Sequence, residues 1–383
     1  MSTVLVTGAN GYLGSQLVTD LLLAGTTVRA VVRSPQAEAD LRAAVVRAGA
    51  DPTALSFTAA TLTNPTSTNT TSTATMSTET TSTGTPFTLT NATSTDTTLT
   101  NATSTNHTLT ETALTDSTST DSTLANATST DTALAGVALG GRESAFDGVT
   151  EVYHLASPMQ VGGAEEIVAA ARDSAVGVLR AARDAGVRRV VMTSSFAAIG
   201  YSPKAVRDYT EDDWTDPDTP GLAPYPRSKA VAERAAWDFI EREGGGLELV
   251  VINPTWIAGP TLTSQVRSSL QVIKALVEGT MPAMPRQRFG IADVRDVAQL
   301  HITAMRTPEA AGKRYLALAD GPTVTWREVA ELLGGTVEEA PGEEPSPLTI
   351  YNDRAKRELN FRPRPARTTL AETVESMRAL GLL

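Results

Sequence analysis

Residues 3–14, Thr-Val-Leu-Val-Thr-Gly-Ala-Asn-Gly-Tyr-Leu-Gly, decide the fold of this chain. They open with a short apolar run, Thr3 to Val6, that predicts a buried strand. Leucines at positions 13, 17, 21 and 22 then recur at helical spacing, and Thr27 to Val32 predicts a second strand. A glycine-rich turn between strand and helix presents backbone N–H groups at the positive end of a helix dipole. The stretch therefore predicts a βαβ unit that binds the pyrophosphate of a dinucleotide.

Two details refine this interpretation. The glycines Gly8, Gly11 and Gly14 have the spacing G-x-x-G-x-x-G rather than G-x-G-x-x-G. Alone they could be only a tight turn, but their place between a strand and a helix favours nucleotide binding. Arg33 follows the second strand, where NAD-binding folds usually carry an acid that accepts the ribose 2′-OH. An arginine suits a 2′-phosphate, so NADPH is predicted ahead of NADH, with a solvated surface arginine as the alternative.

A second group of polar residues lies further along the chain. Residues 189–195, Arg-Val-Val-Met-Thr-Ser-Ser, predict a strand that ends in hydroxyl side chains. In a doubly wound sheet the carboxyl ends of the strands face the ligand crevice. Residues 225–229, Tyr-Pro-Arg-Ser-Lys, then open a helix with apolar periodicity. Tyr225 and Lys229 are four residues apart and are predicted to share one helix face.

These residue types suit the reduction of a carbonyl group. Hydride delivery builds negative charge on the carbonyl oxygen, and the phenol of Tyr225 can supply the proton. Its ordinary pKa of about 10 is high for exchange at neutral pH, and the ammonium of Lys229 is expected to lower that pKa. Ser195 can donate a hydrogen bond to the same oxygen. Tyr-x-x-x-Lys and Thr-Ser-Ser each occur by chance, but in this order behind a glycine-rich turn they predict a reductase.

Composition excludes several other functions. The 383 residues carry a formal net charge of −11, which argues against binding through nucleic-acid phosphates. There is no Cys, so disulfides and thiolate chemistry are excluded, and no spacing suits a metal site. No apolar run is long enough to span a membrane, and no signal-peptide pattern precedes the first strand. We therefore expect a cytoplasmic protein that acts on a small carbonyl substrate, as a monomer or homodimer.

One segment differs from the rest. Residues 63–135 contain no Lys or Arg and are mostly Thr, Ser, Ala and Asn. From Leu62 a Leu or Ser recurs every five residues, with one two-residue slip near Phe87. The period resembles that of pentapeptide-repeat proteins and predicts a square β-helix, although Asn or Asp falls two residues after the central position instead of one before it. A disordered Thr/Ser linker is the alternative.

Beyond this segment, the motifs resemble those of the extended short-chain dehydrogenase/reductase family, within the NAD-dependent epimerase/dehydratase superfamily. Within the family they look like the branch that contains dihydroflavonol reductase, cinnamoyl-CoA reductase and, as the best match, the microbial aldehyde reductases. The matching segments, which include the glycine turn and the Tyr-to-Lys stretch, are residues 6–14, 154–158, 193–200, 225–229, 232–239, 251–255 and 293–298. The resemblance implies a Rossmann-type α/β fold, a doubly wound parallel sheet with a smaller, mostly helical substrate region from about residue 200. It divides the chain into a first Rossmann part (1–62), the insert (63–140), a second Rossmann part (141–260) and a mainly substrate-binding region with returning Rossmann elements (261–383).

The resemblance also implies roles for individual residues. Ser195, Tyr225 and Lys229 match the family's catalytic triad, and Lys229 would also bind the nicotinamide ribose. The cofactor would further be contacted by Thr7, Gly8, Gly11, Tyr12, Leu13, Gly14, Arg33, Thr61, Leu62, Ala156, Ser157, Pro158, Tyr225 and Pro254. The family usually has Asp where this chain has Thr61, which puts the adenine contact in doubt.

Other candidates receive structural interpretations. His301 is predicted to be a structural histidine, and Asp293, Arg295 and Asp296 are predicted to form an ion and capping network at a helix start. Trp214 and Trp256 are candidates for either the pocket or the core.

Two other functions stay open at this stage. A nucleotide-sugar epimerase or dehydratase would use the same fold, and Arg33 counts against it. A cofactor-binding scaffold that contacts a partner through the repeat would usually lack the Tyr or the Lys, and both are present.

Overall fold

The structure is a computed structural model and describes residues 3–59, 145–157 and 163–383. The predicted repeat insert and the predicted cofactor contacts Thr61, Leu62 and Pro158 lie outside these residues.

The described residues contain parallel and antiparallel strands. Their bounds in chain order are β1 Thr3–Thr7, β2 Thr27–Val32, β3 Leu55–Ala59, β4 Val149–His154, β5 Arg189–Thr193, β6 Asp208–Tyr209, β7 Glu248–Pro254, β8 Trp256–Ala258, β9 Arg288–Phe289, β10 Ile291–Asp293, β11 Arg314–Ala317, β12 Val324–Thr325 and β13 Thr349–Ile350.

The α-helices of the same residues alternate with the strands in the first half of the chain. Their bounds are α1 Tyr12–Leu23, α2 Pro35–Arg47, α3 Ala164–Asp184, α4 Pro224–Glu243, α5 Ser269–Glu278, α6 Val294–Arg306, α7 Trp326–Leu332, α8 Asp353–Leu359 and α9 Ala366–Ala379.

Within the described ranges, seven strands form a parallel central sheet in the order β11-β7-β5-β4-β1-β2-β3. From β1 the chain moves outward to β2 and β3, and then returns to β4 on the other side. This reversal is the topological switch point at which doubly wound folds bind their ligands, outside the carboxyl ends of the strands. The predicted Rossmann-type α/β fold is confirmed.

Helices cover both faces of the sheet. On one face α3 and α4 bury residues such as Leu179 and Phe239 against Val190 of β5. On the other, α1, α2, α6 and α8 bury an apolar stripe that includes Leu17 and Val297. The strands read as continuous apolar runs because both of their faces are covered. This packing fixes the carboxyl ends of β1, β4 and β5 beside one another.

The chain after residue 200, which the sequence predicts to be mostly helical, also contains short strands among its described residues. Besides α4 to α9 and two strands of the central sheet, its described residues form three two-stranded sheets, β10-β8, β12-β9 and β13-β6. Trp256 packs edge to face against Trp326 and Phe289, with ring centroids 5.3 and 5.6 Å away. Trp256 thus belongs to an apolar cluster of this region. None of the described helices has the length and apolar character needed to cross a bilayer.

Candidate active site

The glycine turn connects β1 to α1 at the switch point. Gly8 has a φ of +69°, which side chains other than glycine rarely tolerate. A Cβ on Gly8 would lie 2.8 Å from the backbone nitrogen of Ala156, which follows β4. A Cβ on Gly14 would lie only 2.1 Å from the carbonyl oxygen of Gly8. Close backbone packing therefore requires glycine at both positions. The sequence alone could not distinguish this requirement from the glycine preference of a simple turn.

The N-terminus of α1 fits an anionic group. Its capping residue, Gly11, contributes no side chain, and the first turn contains no acid. The first backbone N–H groups and the positive end of the helix dipole therefore face the turn without a compensating negative side chain. Arg33 is exposed directly after the last residue of β2. These features suit a dinucleotide that carries an additional phosphate.

Two predicted cofactor residues direct their side chains elsewhere. The hydroxyl of Tyr12 donates a hydrogen bond to the carbonyl of Gly259, and burial raises the pKa of Tyr12 well above its ordinary value. Leu13 is buried in the core beneath the turn. Either residue would therefore reach a cofactor through its backbone N–H.

Hydrogen bonds connect the end of β4 to the end of β1. Thr7 Oγ1 lies 2.8 Å from His154 Nδ1 and accepts a hydrogen bond of 3.2 Å from the backbone nitrogen of Ala156. Burial, with a smaller effect of Lys229, lowers the pKa of His154 to about 4. His154 is consequently neutral at physiological pH, and its hydrogen bond with Thr7 connects β4 to β1 next to the glycine turn.

The structure brings Ser195, Tyr225 and Lys229 together. Tyr225 OH donates to Ser195 Oγ at 3.4 Å, a long hydrogen bond between α4 and the end of β5. Lys229 Nζ lies 5.8 Å from the centroid of the Tyr225 ring and donates to Ser157 Oγ at 3.1 Å. Ser195 is held in place because its Oγ accepts from the backbone nitrogen of Ala197 at 3.1 Å.

The protonation of this group differs from the sequence prediction. Lys229 is only 8% exposed, and burial lowers its pKa to about 8, against a raising effect of Glu233. Burial around the hydroxyl of Tyr225 raises its pKa above 10.0, while the hydrogen bond with Ser195 acts in the opposite direction. The net shift of the Tyr225 pKa is thus upward, opposite to the predicted lowering, because desolvation of the phenolate outweighs the hydrogen bond.

Sequence reasoning assigned no role to a buried polar network behind these residues. Glu233 is fully buried on α4 and accepts hydrogen bonds from Ser194 Oγ at 2.6 Å and Asn253 Nδ2 at 2.8 Å. Its other oxygen accepts from Arg314 Nε at 2.5 Å. Asn253 Nδ2 also donates to the carbonyl oxygen of Ser195 at 3.2 Å. The partners are 20 to 81 residues away along the chain, and no periodicity in the sequence connects them.

The remaining predicted residues surround this site. His301 is fully buried, with Nδ1 2.7 Å from the carbonyl oxygen of Val297 and Nε2 2.7 Å from Thr193 Oγ1. Both ring nitrogens are engaged, as expected for a structural histidine. Pro254 is buried at the end of β7, in register with Ala317 of β11.

Two further predicted groups lie outside the site. Asp293 caps α6 and pairs with Arg295, and Asp296 pairs with Arg364, so the predicted network at this helix start is confirmed. Trp214 lies under the guanidinium of Arg314 and lines a separate cleft of about 540 Å³.

Known proteins resemble this chain in sequence and fold. The profile of the NAD dependent epimerase/dehydratase family matches residues 4–131 and 86–317. Cinnamoyl-CoA reductase 1 of Petunia hybrida is 34% identical over 253 residues, which cover 62% of this chain and 74% of the relative. A putative NADPH-dependent methylglyoxal reductase, GRP2 of Candida albicans, is 33% identical over 196 residues, which cover 46% and 57%. Yeast methylglyoxal/isovaleraldehyde reductase Gre2, solved with NADPH, has a TM-score of 0.66 at 21% identity over 100% of both chains.

Proposed function

This chain belongs to the NAD dependent epimerase/dehydratase family, and we propose that it reduces an aldehyde or ketone to an alcohol with NADPH. The observation that carries the proposal is the convergence of Tyr225, Ser195 and Lys229 at the carboxyl end of the sheet. The three residues lie beside the switch point at which a dinucleotide would bind. Several relatives of this chain are named as reductases, which supports the same chemistry.

Each of the three side chains has a role in the proposed reaction. NADPH would supply the hydride when bound. Tyr225 donates the proton to the carbonyl oxygen, and Ser195 donates a hydrogen bond that orients this oxygen and stabilises its developing charge. Lys229 remains close enough to the Tyr225 ring to favour the phenolate that forms as the proton leaves. Its ammonium group would also bind the ribose of the cofactor.

The cofactor would be held by backbone and side-chain groups at the ends of four strands, β1, β2, β4 and β7. The turn at Gly8, Gly11 and Gly14 would bind the pyrophosphate, and Arg33 would bind the 2′-phosphate. Ala156 and Ser157 after β4, with Pro254 at the end of β7, would line the nicotinamide side. GRP2 is named as NADPH-dependent and Gre2 was solved with NADPH, in agreement with this cofactor preference.

A carbonyl panel tests the proposal. We would incubate the purified 383-residue protein with NADPH and, separately, with NADH, together with aliphatic and aromatic aldehydes and ketones. Loss of reduced-cofactor absorbance with at least one carbonyl, faster with NADPH, is the expected result. Conversion of UDP-glucose without consumption of added cofactor would instead identify a nucleotide-sugar epimerase. Tight cofactor binding without turnover of any carbonyl would favour a cofactor-binding scaffold.

A further inference from the structure

We propose that Glu233 is a positioning residue of this reaction: it holds Ser195 opposite Tyr225 and supports the positive charge of Lys229. The inference rests on the proposed function and extends it to a residue that does not touch the substrate. It is carried by the contacts of one fully buried carboxylate with Ser194 after β5, Asn253 of β7 and Arg314 of β11.

The first step concerns where Glu233 lies. It is four residues after Lys229 on α4, and hence on the same helix face one turn further along. Its Oε2 accepts from Ser194 and Asn253, and the same Asn253 nitrogen also reaches the carbonyl oxygen of Ser195. The helix that carries Tyr225 is thereby connected to both sides of the Ser195 backbone. A shift of this network would change the Tyr225–Ser195 distance.

The second step concerns why a carboxylate is needed. Each of the hydrogen bonds to the Glu233 oxygens comes from a donor: a hydroxyl, an amide, a guanidinium and the indole nitrogen of Trp237 at 3.4 Å. An amide in place of the carboxylate would direct one NH₂ group at another donor. A buried donor without an acceptor is costly, so the surrounding groups would have to move. Arg314, which is 6% exposed, would also lose its charged partner.

The third step concerns charge. Lys229 and Glu233 both line a small cavity of about 20 Å³. The cavity is also lined by His154 of β4 and by Ala156 and Ser157, which follow this strand. The rest of the lining consists of Ala171 and Ala175 of α3, residues 192–194 at the end of β5, and Ala232 of α4. His154 is neutral at physiological pH because its pKa is about 4. The charged groups near the ammonium are therefore Glu233 and, behind it, Arg314, while the phenol of Tyr225 is neutral.

The sign of the expected effect follows from these contacts. Burial lowers the pKa of Lys229 to about 8, and the negative charge of Glu233 opposes this fall. Removing that charge lowers the Lys229 pKa further, so the ammonium is lost at a lower pH. A role that is merely structural would reduce the amount of folded protein without moving this titration.

The test compares Glu233→Gln with Glu211→Gln as the matched control. Glu211 is also buried, at 4% exposure, and its carboxylate accepts from the backbone nitrogen of Leu316. Arg314 reaches only the backbone carbonyl of Glu211, which the substitution retains. We expect Glu233→Gln to lower kcat by about 10- to 100-fold, the scale of a misplaced reacting group. We also expect the alkaline limb of its kcat–pH profile to move down by about one pH unit. Glu211→Gln should retain the parent kcat and pH profile.

A second variant keeps the inference testable if Glu233→Gln does not fold. Asn253→Ala removes the connection to the Ser195 carbonyl but leaves the charge of Glu233 and its contact with Arg314. We expect this variant to lower kcat without moving the alkaline limb. If the parent protein reduces carbonyls and a folded Glu233→Gln keeps its kcat and pH profile, the inference is wrong and the proposed function stands. It is also wrong if Asn253→Ala keeps the parent kcat. A parent protein that reduces no carbonyl would refute the proposed function itself.

Discussion

At the residue scale, Arg33 is the side chain that we expect to set the cofactor preference. It is exposed at the end of β2, beside the turn that would hold the pyrophosphate. Arg33→Ala should weaken NADPH binding by about 1.5–3 kcal/mol, the value of a charge-assisted hydrogen bond, and leave NADH binding nearly unchanged. Titration calorimetry with both cofactors measures this difference. Arg172→Ala, an exposed arginine of α3 paired with Asp173, is the control. Equal affinity of the parent protein for the two cofactors would show that Arg33 is only a surface residue.

The sequence identifies functional residues that are close together along the chain. It does not identify residues that come into contact only in the folded protein. Tyr225 and Lys229 are four apart, so helical geometry alone places them on one face. Glu233 and Arg314 are 81 residues apart and meet because β11 pairs with β7 at the sheet edge. The sequence also could not predict the raised pKa of Tyr225, because burial around one hydroxyl depends on the packing of several elements.

At the element scale, the β1–α1 connection depends on glycine at position 14. In Gly14→Ala the new methyl would meet the Gly8 carbonyl at 2.1 Å and backbone atoms of Ala9 at 2.9 Å, so the turn must move. We expect a stability loss of about 1–3 kcal/mol, typical of overpacking, and NADPH affinity at least about 10-fold weaker. Urea unfolding and cofactor titration measure the two effects. Gly246→Ala is the control, because its Cβ meets nothing within 4 Å. Unchanged affinity in Gly14→Ala would separate the turn from cofactor binding.

The elements themselves were predictable where apolar runs are long. Thr27–Val32 forms β2 as predicted. The strand predicted to reach Ser195 ends at Thr193, because Ser195 caps a short 3₁₀ turn instead. The sequence did not predict the two-residue strands β6, β9, β12 and β13. Each is too short to show a period, and each pairs with a partner at least 35 residues away.

At the scale of the whole molecule, the catalytic domain should tolerate loss of the repeat. β3 ends at Ala59 at one edge of the sheet, and β4 begins at Val149 on the far side of β2 and β1. The strands are parallel, so the connection must cross three strand spacings of about 4.8 Å and also return along about five residues of strand, about 22 Å in all. A flexible Gly/Ser segment can cross this distance. We propose that replacing residues 64–135 by a Gly/Ser linker leaves kcat and NADPH affinity unchanged, as steady-state kinetics would show. A folded deletion variant without activity would mean that the repeat shapes the cofactor site near Thr61.

The most direct test of the central claim is the kcat of Tyr225→Phe with NADPH and the best carbonyl substrate of the panel. The change removes one hydroxyl and keeps the ring, so we predict that kcat falls by about 10²-fold or more while NADPH affinity stays close to that of the parent. Tyr351→Phe is the control, because this tyrosine is 41% exposed, as Tyr225 is, and should keep the parent kcat. A Tyr225→Phe variant that turns over at the parent rate would contradict the assignment of Tyr225 as the proton donor.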